Sequence, residues 1–97
     1  MFQIEFTTEA LADLRFLRRY DQEKVVHGIE GQPPNQATEP SQNRKRLRLN
    51  QVADWELRIG NIRVFCDADP QARLVKIEAI GYKLGSRLFI HGQEYDL

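Results

Sequence analysis

Trp55-Glu-Leu-Arg-Ile-Gly-Asn-Ile-Arg-Val-Phe-Cys-Asp67 decides the fold. Trp55, Leu57 and Ile59 alternate with Glu56 and Arg58, and Ile62, Val64 and Cys66 alternate with Arg63, Phe65 and Asp67, the period-2 pattern of a β-hairpin. Gly60-Asn61 between the two runs suits a type II′ turn, because glycine accepts positive φ without strain. That turn sets the register: Ile59 opposite Ile62, Arg58 opposite Arg63, Leu57 opposite Val64, Glu56 opposite Phe65 and Trp55 opposite Cys66. Six apolar side chains then share one face. On the other face two arginines oppose each other, an arrangement disfavoured by roughly 0.2–1 kcal/mol for a cross-strand pair. Glu56, diagonal to Arg63, offsets part of the repulsion, and an anion held between the guanidinium groups would remove it.

Outward from the hairpin, the chain supplies a sheet and two helices. Phe2, Ile4 and Phe6 alternate with Gln3 and Glu5 as a strand. Thr7-Thr8 offers an N-cap with Glu9 in the first turn, and Ala10, Leu11, Leu14 and Leu17 make one apolar stripe to about Arg19, flanked by Phe16 and Tyr20. Asp21 is placed to cap a second helix to about Glu30, with Val25, Val26 and Ile29 inward and Gly31, Pro33 and Pro34 ending it. So short a connection predicts an antiparallel helical hairpin. Residues 35–43 read as a polar loop. Arg44-Lys-Arg-Leu-Arg-Leu-Asn50 is expected to lie extended along the sheet, with Leu47 and Leu49 tucked under and the basic groups outward. After the turn around Pro70, Leu74 to Tyr82 forms a strand with Val75, Ile77 and Ala79 on one face and Lys76, Glu78 and Ile80 on the other. Two further turns, at Gly85 and at His91-Gly92, separate Leu88-Phe89-Ile90 from a last segment, Glu94 to Leu97. The whole predicts an α+β fold: an N-terminal strand, then an antiparallel two-helix hairpin packed on one face of a mainly antiparallel β-sheet, with the arginine face open to a partner.

Composition bounds the function. Ninety-seven residues, 41% of them hydrophobic, suffice for one domain with one core. The formal net charge is zero, yet residues 44–63 hold six cations against Asp54 and Glu56, a local excess of four. The single cysteine, Cys66, excludes an internal disulfide and falls on the apolar face as a core thiol. His27, His91 and Cys66 lack ligand spacing, so no metal or other cofactor is expected. There is no apolar run of membrane-spanning length and no secretory n-region, which points to a cytoplasmic protein.

The order of elements, with Leu57-Arg58-x-Gly60-x-x-Arg63-Val64 at its centre, the basic segment before it and Ala79-Ile-Gly-x-Lys83 after it, resembles the RelE/ParE superfamily of toxins from type II toxin–antitoxin systems. The resemblance covers nearly the whole chain. It implies one of two activities: metal-free cleavage of messenger RNA in the ribosomal A site, as in RelE-like members, or poisoning of DNA gyrase, as in ParE-like members. It also implies a cognate antitoxin as partner. In RelE-like toxins basic residues on the sheet hold the scissile phosphate, and the arginine matching Arg63 is catalytic; Arg58 and Lys83 match further basic positions. The chain departs from the pattern at Asp54 and Glu56, where some members carry lysines, and at Cys66, where tyrosine is usual.

The chemistry asks for the same residue types. Attack of a 2′-hydroxyl on the adjacent phosphate needs a base, an acid and cations for the charge that develops on the phosphorane. Arg58 and Arg63 supply cations, with Lys83 and the Arg44, Lys45, Arg46 and Arg48 run on neighbouring phosphates. Glu56, His91, Tyr82 and Tyr95 are the candidate acid or base. Each has a plainer reading: solvated strand arginines, a turn histidine, packing tyrosines, and a charged edge that blocks strand addition.

Overall fold

The computed structural model describes residues 3–30 and 44–96. The elements are β1 (Gln3–Phe6), α1 (Thr8–Phe16), α2 (Arg19–Glu30), β2 (Arg44–Arg46), β3 (Trp55–Ile59), β4 (Ile62–Asp69), β5 (Leu74–Leu84), β6 (Arg87–Ile90) and β7 (Gln93–Tyr95). Among the described residues these strands form one sheet in the order β2-β3-β4-β5-β6-β7, with β1 parallel to β5 and every other pairing antiparallel. This is the α+β architecture expected from the sequence. Phe2, residues 31–43 with their helix stop and polar loop, and Leu97 lie outside the described residues.

The central hairpin has the register its turn dictates, all five pairs included. Gly60 has φ of 61°, and Asn61 is not among the positive-φ residues, as a type II′ turn requires. Trp55, Leu57, Ile62, Val64 and Cys66 are buried together against Ala10, Val25 and Ile29, with Ile59 packed at the margin. α1 lies over β5 and α2 over β3, so both helices cover this face. Burial, reinforced by the nearby charge of Asp67, pushes the Cys66 thiol up to about 12, which suits an inert core residue.

α1 begins where Thr7 caps it, the hydroxyl accepting from Ala10 N–H at 3.0 Å. It ends at Phe16, two residues before α2, which starts at Arg19 rather than Asp21. Asp21 therefore sits in the first turn, favoured there by the helix dipole and by Arg18 at 3.4 Å. Val26, expected inward, is 36% exposed, because Val25 and Ile29 already fill the stripe over the sheet.

Two expectations for the sheet need correction. β5 carries an extra residue: Phe65 pairs with Ala79 and Cys66 with Ile77, so Glu78 is bulged and the alternation changes phase. Ile80 consequently joins Ile77 in the helix-side core, while Ala79 faces the other way. That opposite face is also not open throughout. Phe65, Ala79, Leu88 and Ile90 form a second, smaller core, covered by Leu47, Val52 and Ala53 and flanked by Tyr95. Asn50 shapes the covering loop, its Oδ1 accepting from Val52 and Ala53 N–H and its Nδ2 donating to the Arg48 and Ala53 carbonyls. Leu49 is left 98% exposed and Arg44 is buried, the reverse of the tucked leucine and outward arginine expected of this segment.

One edge of β5 is shared: β1 pairs with Leu74–Ile77 and β6 with Gly81–Leu84. Side chains from α1 and its N-cap serve the interval. Thr7 Oγ1 donates to the Glu78 carbonyl and Asp13 Oδ2 accepts from Ile80 N–H at 3.0 Å.

Candidate functional site

The arginine face is built on the tight turn at Gly60-Asn61. Cross-strand pairing puts Arg58 beside Arg63 and Arg63 beside Gly81; Lys83, two residues along β5, stands on the same face, with its N–H donating to the Asn61 carbonyl. Lys45, opposite Glu56, extends the face to the edge strand. Arg58, Arg63, Lys83 and Lys45 are thus brought together with one carboxylate among them.

That carboxylate is well placed to neutralise them. Glu56 Oε1 lies 3.0 Å from Arg63 Nε and 3.9 Å from Arg58 Nε, so one oxygen serves both opposed guanidinium groups. Glu56 and Arg63 are buried, whereas the Arg58 side chain is 47% exposed. Arg63 Nη1 donates to the carbonyls of Gly60 (2.8 Å) and Ile62 (3.1 Å), which ties the guanidinium to the turn. Its Nε, although close to Glu56, makes no aligned hydrogen bond, so the contact is chiefly Coulombic.

The other sequence-predicted residues are placed differently. Arg44 and Arg46 are opposite Leu57 and Trp55, hence on the helix side, with the Arg46 guanidinium 5.5 Å from the Trp55 ring centre. Arg48 is exposed in the covering loop. Tyr95 is on the arginine side of the sheet but opposite Leu88, packed against the smaller core. Tyr82 stacks on Phe89 on the helix side. His91 occupies the β6–β7 turn with φ of 55°, and its Nδ1 lies 2.7 Å from Asp13 Oδ1. This contact orients the imidazole from α1 instead of from the arginines. Sequence reasoning did not find Asp13; its one signal is an acid beside the apolar stripe of the first helix.

A second group of acids lies on the far end of the sheet. Burial, then a hydrogen bond to Asp67 and the charge of that neighbour, raise the Glu78 carboxyl to about 7 from its ordinary 4.5. A group with a raised folded-state value favours folding most when both states are protonated. Its contribution is therefore full below pH 4.5 and is lost as pH rises through about 7. Glu78→Gln should flatten the fall in melting temperature across that window; an unchanged pH profile would refute the assignment.

No family model matches the chain, and no curated protein matches it. Among solved structures it is similar to the toxin–antitoxin complex RelBE2 from Mycobacterium tuberculosis, with 26% identity and a TM-score of 0.69 over 84% of this chain and 91% of that one. A strand, two helices and a mainly antiparallel sheet with arginines on the face away from the helices define the class. Within it, the chain is RelE-like in fold, by its similarity to that toxin–antitoxin complex.

Proposed function

We propose that the chain is the toxin of a type II toxin–antitoxin system and acts as a ribosome-dependent mRNA endoribonuclease. The observation that carries this reading is the gathering of Arg58, Arg63 and Lys83 around one tight turn with Glu56 in their midst. The similarity to a toxin–antitoxin complex supports it and supports an antitoxin as the partner that restrains the activity.

In this mechanism the guanidinium groups of Arg63 and Arg58 receive the scissile phosphate and stabilise the added charge as the 2′-hydroxyl attacks. Lys83 and Lys45 hold flanking phosphates. Glu56 is the acid–base group within reach of the arginines and accepts the hydroxyl proton, and the leaving 5′-oxygen takes its proton from water. The attacking nucleophile belongs to the substrate, so the chemistry calls for no metal or cofactor. Its setting would be cytoplasmic, with ribosome and mRNA as targets.

A second reading is a ParE-like gyrase poison, favoured by one observation: Glu56 already neutralises the arginines, which suits a protein-binding face better than a phosphate site. Expression in cells, with and without an adjoining small reading frame as antitoxin, separates the two. Newly formed mRNA 5′ ends at ribosomal A-site codons are the result expected; intact messages with trapped gyrase–DNA complexes would replace the first reading by the second.

A further inference from the structure

We propose that Glu56 is a resident anion that keeps the arginine face shut, so that a phosphate group reaches Arg63 only by displacing the carboxylate. This rests on reading the face as an anion site. It goes further in assigning Glu56 a regulatory contact that sets the site's apparent affinity.

Four features carry it. First, the register fixes Arg58 opposite Arg63, so the strands cannot separate the two charges and an anion between them relieves their repulsion. Glu56 Oε1 supplies it at 3.0 and 3.9 Å. Second, Arg63 cannot swing outward to meet a ligand, because Nη1 is bonded to two carbonyls of its own turn. A phosphate must come to the guanidinium, and the position it would take is the one Glu56 holds.

Third, the resident contact is poorly aligned. Arg63 is 9% exposed, and its buried Nε–H, misaligned with the nearby oxygen, lacks a formed hydrogen bond. A phosphate, with oxygens in several directions, can satisfy that donor and Arg58 together. Fourth, there is a way in: Arg58 is half exposed, and Lys83 and Lys45 attract the same ligand from either side. The closed and open arrangements therefore differ by the position of one carboxylate, and the fraction of open molecules scales the affinity directly.

The test is phosphate binding to the purified full chain, titrated with inorganic phosphate at constant ionic strength against chloride. Glu56→Gln should bind about tenfold more tightly than the wild type, the factor expected when one wild-type molecule in ten is open. Non-cleavable 2′-O-methyl RNA should follow the same order. A folded Glu56→Gln chain with wild-type phosphate affinity would overturn the proposal. Should that variant not fold, the wild type itself decides. During the titration the Arg63 Nε–H and Glu56 carboxyl signals in the NMR spectrum should move together; an Arg63 signal that saturates while Glu56 stays still would equally overturn it. Tighter phosphate binding by Glu56→Gln, with a wild-type chain that cuts no message on the ribosome, would defeat the nuclease reading and leave this one standing. Cleavage by the wild type with unchanged phosphate affinity in Glu56→Gln would do the reverse.

Discussion

Arg63→Ala alone is expected to lower stability by about 3 kcal/mol, the low end of the range for removing one partner of a buried ion pair. The cost arises less from the lost contact than from what remains. Glu56 is 7% exposed and, among the described residues, its oxygen would keep only Arg58, at 3.9 Å, as a counter-charge. A simple loss of toxicity in Arg63→Ala would thus mix misfolding with lost chemistry. The clean comparison is a double-mutant cycle with Glu56→Gln. The double variant should recover most of the lost stability, giving a coupling energy of order 1–3 kcal/mol by chemical denaturation. It should nevertheless cut RNA about a hundredfold more slowly than the wild type or worse, the scale of losing one preorganised charge partner in a transition state. Additive stabilities would show that the ion pair contributes nothing to folding.

Gly81→Ala should be at least as damaging, by about 3 kcal/mol. A Cβ at this position would stand 2.3 Å from the Phe89 carbonyl oxygen and 2.9 Å from Ile90 Cγ1. The first of these is backbone, held in the β5–β6 ladder where Gly81 pairs with Ile90, so it cannot rotate aside. Gly81 also adjoins Arg63 on β4, and the distortion would reach the candidate site. Gly85→Ala is the informative contrast: its φ of 62° strains alanine, but open space surrounds the position, so its cost should be about 1 kcal/mol. Equal melting temperatures for Gly81→Ala and the wild type would refute the close approach.

The central hairpin was legible because its determinants are local. Alternation and a glycine-first turn decide which residues face each other, and so bring Arg58, Arg63 and Glu56 together before any tertiary contact is considered. The bulge at Glu78 was not legible, since an inserted strand residue carries no distinctive side chain, and it exchanged the sides assigned to Ala79 and Ile80. The second core escaped for a different reason. Leu47, Val52, Ala53, Leu88 and Ile90 are short apolar interruptions in polar surroundings, and only the sheet order makes them neighbours of Phe65. His91 shows the same limit: its type suggested proton transfer, while its partner, Asp13, lies 78 positions away.

What the fold contributes to the proposed activity is a pair of opposed cations whose mutual repulsion is relieved by an internal carboxylate. The most direct test of that account uses purified chain, stalled ribosomes and a defined message, with the ends of the fragments analysed chemically. Cleavage within the A-site codon, leaving a 2′,3′-cyclic phosphate upstream and a 5′-hydroxyl downstream, and slowed about a hundredfold or more in the folded Glu56→Gln/Arg63→Ala double variant, is the result predicted. An intact message, or cleavage at the wild-type rate in the double variant, would contradict it.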